Sequence, residues 1–149
     1  MAEASSELIA LARYNAWANE RVFTACSRLS DDQLGRAVVY GPTLELLRHL
    51  VHMQLNFLRM SQGGTRQPPP EADFASLRAR VRELDAEYQH FLESAPDLER
   101  TLHVLWFGFD LSVREAMLQA LTHSIKHRTD VCIALPALGV DAPALDFIE

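Results

Sequence analysis

The sequence predicts an all-α protein, a four-helix bundle forming a single domain over residues 1–149. Three observations predict it. Apolar residues recur three and four apart in four long stretches, which is the stripe of an amphipathic helix. Clusters of Gly, Pro, Ser and Asp separate those stretches, and Ser-x-x-Gln and Ser-x-x-Glu capping boxes mark where helices start. Four such helices joined by loops have an up-and-down bundle as their default architecture.

The first helix is expected from about Ala4 to Arg28, with Leu8, Leu11, Ala18, Val22, Ala25 and Leu29 on its stripe. Asn15 falls on the same stripe. A polar group there costs about 1–3 kcal/mol unless it finds a partner, so Asn15 either bonds to a neighbouring backbone group or faces a polar cavity. Ser30 to Gln33 should start a short helical turn. Gly41-Pro42 opens a second helix that runs to about Gln62 and is apolar over more than half its circumference, from Leu44 through Met60. A helix so broadly apolar needs more cover than one neighbouring layer, which points to a dimer face. On its polar arc His52 sits centrally, whereas His49 lies at one edge, beside Met53 and Met60.

Gly63 to Pro70 reads as a loop stiffened by three prolines. The third helix, about Asp73 to Ser94, carries Phe74, Leu77, Val81, Leu84, Tyr88 and Phe91 on one face and Arg and Glu on the other. Pro96 to Leu111 breaks the period and is extended or a hairpin about Gly108. There Trp106, Phe107 and Phe109 either pack over the bundle end or line an apolar pocket with His103 near its mouth. Ser112 and Glu115 cap the fourth helix, whose stripe is Val113, Ala116, Met117, Ala120, Val131, Ala134 and Leu138. Pro136 should end it, with Gly139 as the natural cap. The tail after it should pack back onto the bundle.

Net charge is -6 and the pI is near 5.5, so there is no electrostatic reason to bind nucleic acid or an anionic membrane. Mean hydropathy of -0.05 is ordinary for a soluble globular chain. No apolar run approaches ~20 residues and the N-terminal stretch lacks signal-peptide design, so the expected location is cytoplasmic. Two cysteines indicate no disulfide framework.

The chemistry lies in ALTHSIKHR, Ala120 to Arg128. His123 and His127 are four apart and stand on one helix face, a ligand spacing for a first-row metal. Asp130 returns to that face and could complete the shell, act as general base, or orient a histidine. Cys132 is nine residues beyond His123, about 180° round the helix, and cannot share its metal. His49, at the inward edge of another helix, can supply a third ligand. Alanines 116, 120 and 134 leave space near the histidines. The alternative is that all three histidines are ordinary bundle residues.

YNAWANERV (14–22), GPTLELLRHL through His49, THSIKHR (122–128) and ALGVDAP (137–143) together resemble the DinB family of DinB/YfiT-like metalloenzymes, over nearly the whole chain. The resemblance implies a four-helix bundle with a long crossover connection, frequently a homodimer. It also implies a divalent metal, zinc or nickel first and iron or manganese next, on His49, His123 and His127. Where the family often has a histidine before the last ligand and a Gly-Gln pair after it, this chain has Lys126, Thr129 and Asp130. Relatives with assigned activity imply an S-transferase that uses a low-molecular-weight thiol as cosubstrate to a small-molecule electrophile. Asp130 and Asn15 would then act beside the ligands. A metal-dependent hydrolase would use the same three histidines, and a non-catalytic metal-binding stress-response protein is the reading from another class.

Overall fold

The computed structural model describes residues 2–70 and 73–147 and is mostly helical. Four long helices make the body: α1 (Ala2–Cys26), α3 (Thr43–Ser61), α4 (Phe74–Glu93) and α5 (Val113–Ala134), with a short α2 (Asp31–Gly35). Two small antiparallel pairs accompany them, β1 (Ala37–Val38) with β2 (Gly41–Pro42), and β3 (Thr101–Val104) with β4 (Phe109–Ser112). The first pair was not expected from the sequence, because two-residue strands carry no readable period.

Both capping boxes form. Ser30 accepts from the Gln33 amide while Gln33 accepts from the Ser30 amide, and Ser112 and Glu115 repeat the exchange at the start of α5. The β3–β4 hairpin turns at Gly108, whose φ of +71° favours glycine. α5 ends at Ala134, one 3-10 turn (Pro136–Leu138) follows, and Gly139 closes it at φ +81°.

Each long helix packs on two others: α1 on α4 and α5, and α3 on α4 and α5. Consecutive α1 and α3 therefore lie across a diagonal, as do α4 and α5. Arg13 meets Glu93, Glu20 meets Arg82 and Arg78, and Phe23 stacks on Phe74, so α1 and α4 run antiparallel. His49 meets His127, Gln54 meets Ser124, and Phe57 stacks on Phe107 just before α5, so α3 and α5 are antiparallel too. Arg128 meets Asn15 and Asn19 while Leu8 and Leu118 line one groove, which makes α1 and α5 parallel. It follows that α3 and α4 are parallel.

This corrects the simple up-and-down order expected from the loops and agrees with a long crossover. The cause is the segment after α3, which turns back along that helix. The Gln67 amide donates to Asn56 Oδ1 at 2.7 Å, His52 Nε2 lies 2.9 Å from the Gln67 carbonyl, and Arg48 donates to the Pro70 carbonyl at 2.8 Å. A proline-rich stretch rises about 3.1 Å per residue, twice the helical rise, so a short segment retraces a longer helix.

The crossover also bears on the expected dimer face. Asn56 on the polar arc is buried, and α4, α5 and the returning segment cover most of α3's apolar surface within the chain. The core is otherwise as the stripes predict, from Leu8, Val22 and Leu47 through Leu84 to Met117 and Val131. No helix among the described residues is long and apolar enough to cross a membrane.

Candidate metal centre

Three histidines from two helices converge. One ring nitrogen from each of His49, His123 and His127 lies within 4.8 Å of the other two. His123 and His127 stand one turn apart on α5 with their Nε2 atoms 3.2 Å apart. His49 comes from α3, its ring centroid 5.0 Å from that of His123 and 4.7 Å from that of His127. Ligand nitrogens about 2.1 Å from a tetrahedral cation stand roughly 3.4 Å apart, so the α5 pair already has chelating separation. His49 is exposed and the other two are half-buried, which leaves one side open to solvent.

Burial favours the neutral form of all three rings. Burial pushes His123 down to about 4, with the charges of His127 and His49 adding to it. His49 and His127 are also lowered, again chiefly by burial. Neutral imidazoles present the lone pairs that a cation requires.

Asp130 is buried beside them. Its Oδ2 accepts from Lys126 Nζ at 2.7 Å and lies 3.3 Å from His127 Nδ1, outside hydrogen-bond geometry. The structure thus places Asp130 behind His127, on the nitrogen facing away from the other rings. His123 Nδ1 is buried without a hydrogen-bond partner.

Asn15 belongs elsewhere. It is buried, donates to Asp85 Oδ1 at 3.1 Å and to Gln54 Oε1 at 3.3 Å, and accepts from Arg128 Nη1 at 2.6 Å. None of these partners is a histidine. Asn19, Gln54, Asp85, Ser124 and Arg128 complete this buried group, and sequence reasoning missed all five. The signal was present: Asn19 follows Asn15 by one turn, and Asp85 sits between Leu84 and Tyr88 on the apolar stripe of α4.

The other histidines lie outside the cluster. His52 serves the crossover, and His103 pairs with Asp110 at 2.9 Å on the exposed hairpin. Phe107 stacks on Phe57 and on Phe109, and Phe107 and Phe109 with Leu111, Leu118, Gln119 and Thr122 help line a groove of about 330 Å³. Its α5 wall, at Gln119 and Thr122, reaches within one turn of His123.

A family model described as the DinB family matches residues 1–149. The chain belongs to the DinB family. A solved DinB-like protein from Bacillus cereus aligns with a TM-score of 0.66 and 15% identity, covering 87% of this chain and 91% of that one. A DinB-like protein from Bacillus subtilis aligns with a TM-score of 0.64 and 16% identity, covering 91% of this chain and 96% of that one. These likenesses establish that the DinB fold is shared. No curated protein matches the sequence.

Proposed function

We propose that this DinB-family chain is a divalent-metal-dependent enzyme with His49, His123 and His127 as ligands, preferring zinc or nickel over iron or manganese. The observation that carries the reading is the convergence of three imidazoles from α3 and α5 with one side exposed. Three nitrogen ligands and an open fourth position characterise catalytic rather than structural sites.

The proposed reaction is S-transfer from a low-molecular-weight thiol to a small electrophile. A bound cation would supply Lewis acidity, lowering the pKa of a thiol at the open position. Sulfur bonds to the electrophilic carbon while the leaving group departs with its electron pair, and the thiol proton passes to solvent on the exposed side of the cluster. Asp130 sets its carboxylate beside His127 Nδ1, where it can orient that ring. The aromatic groove beside Gln119 and Thr122 offers apolar surface to the electrophile. Asn15 acts at one remove, through Arg128 and Gln54.

Water in place of thiol makes the same residues a hydrolase, and a panel of thiol-conjugation and hydrolysis substrates separates the two. A non-catalytic stress-response role would suit a closed site better; among the described residues the cluster holds three ligating groups and no fourth. A homodimer and a cytoplasmic location accompany the proposal, and sedimentation tests the first. The central test is elemental analysis of protein purified without chelators, beside His123→Ala and His127→Ala. Metal in the parent and its loss in both variants is expected; equal content in all three sinks the reading.

A further inference from the structure

Each α5 histidine of the cluster is followed by a fully buried polar residue, His123 by Ser124 and His127 by Arg128. A step of about 100° turns these side chains from the histidine flank into the bundle. There they join a hydrogen-bonded network drawn from all four long helices. Arg128 Nη1 donates to Asn15 Oδ1 and to Asn19 Oδ1, at 2.6 and 2.8 Å. Both asparagines donate to Asp85, and Gln54 Nε2 donates to Asp85 Oδ1 at 3.0 Å. Gln54 Oε1 in turn receives Asn19 at 2.9 Å and stands 3.1 Å from the Ser124 hydroxyl, which also reaches the Ala120 carbonyl at 2.9 Å. Tyr88 fixes the backbone at the same place, donating to the Gln54 carbonyl at 2.7 Å.

Gln54 lies on the helix that carries His49, and Ser124 is adjacent to His123. Their contact therefore links the two helices that share the cluster. Apolar side chains can slide between neighbouring holes at little cost, whereas a network in which each polar group needs its partner is satisfied in one alignment.

We infer that Gln54 and Ser124 are positioning residues: anchored by Asn19, Asp85 and Arg128, they fix α5 against α3 and so set His49 opposite His123 and His127. The inference rests on the metal reading for its purpose, but the ring placement can be measured without metal.

Ser124→Ala removes the link with little change in volume, Gln54→Met removes it from the other side, and Ser124→Thr restores the hydroxyl. In metal-free protein, long-range nitrogen–proton spectra read the tautomers of His49, His123 and His127. With cobalt(II) as probe, titration and the visible spectrum read affinity and coordination. Urea unfolding monitors the fold of each variant. Ser124→Ala should stay folded, shift the tautomer balance of the three rings away from that of the parent, bind cobalt about tenfold more weakly with an altered spectrum, and be rescued by Ser124→Thr. Parent-like tautomers in folded Ser124→Ala and Gln54→Met overturn the positioning role whether or not cobalt binds. A parent protein that takes up neither cobalt nor zinc overturns the metal reading instead, leaving the tautomers to decide the positioning.

Discussion

Asp85 on α4 and Arg128 on α5 are buried and oppositely charged, yet they are joined through Asn15 and Asn19 rather than face to face. Each asparagine gives its carbonyl oxygen to the guanidinium and its amide nitrogen to the carboxylate, because one carboxamide carries both acceptor and donor. With the guanidinium held at a remove, burial dominates at the carboxylate and pushes Asp85 from 3.8 up to about 6, against the opposing effects of Gln54, Asn19 and Arg128.

A raised carboxylate makes stability depend on pH in a defined direction. Between the unfolded value of 3.8 and the folded value of about 6, the unfolded chain ionises while the folded one keeps its proton. The contribution of Asp85 is thus fully present below 3.8 and is lost as pH rises through 6, a difference of roughly 3 kcal/mol. Asp85→Asn should abolish this part of the profile. Urea unfolding of both proteins from pH 4 to 7 measures it, and parallel profiles would show that Asp85 titrates normally.

Asp130→Asn keeps the shape but removes the charge behind His127. About tenfold weaker nickel binding is expected by calorimetry, in the range typical for residues that orient a metal-binding histidine. Lys126→Ala should change affinity far less, since Lys126 is 65% exposed and its pair with Asp130 is solvent-screened on that side. Equal effects of the two substitutions would refute the orienting role.

Loss of the α5 cap should act on stability alone. Ser112→Ala deletes the acceptor for the Glu115 amide and costs about 1 kcal/mol by denaturant unfolding, with metal content unchanged. No measurable loss would mean that the hairpin leading into α5 positions the helix start without the cap.

The crossover hangs on few polar contacts. Asn56→Ala removes the acceptor for the Gln67 amide, so exchange at that amide and tryptic cleavage at Arg66 should both accelerate. Unchanged exchange would place the anchoring in His52 and Arg48 instead.

The helices, both capping boxes, the Gly108 hairpin and the histidine pair were legible because each depends on residues close in sequence. Leu8 to Leu29 and Val113 to Leu138 repeat at helical spacing, and a capping box closes within four residues. His123 and His127 share a face by helical geometry alone. His49 was readable only in part, since its edge position allowed an inward turn that the fold had to complete.

Tertiary packing decided the rest. Proline content announced a stiff loop at 63–70, but its return along α3 depends on Arg48, His52 and Asn56, polar residues that the sequence alone leaves looking solvated. Asn15 stood out on its stripe, whereas its partners Gln54, Asp85 and Arg128 lie on three other helices distant in sequence. A single polar residue can be recognised from its neighbours along the helix. The partner that makes its burial tolerable becomes visible only when the helices are side by side, because hydrogen bonds between helices depend on rotation and register that no local pattern fixes.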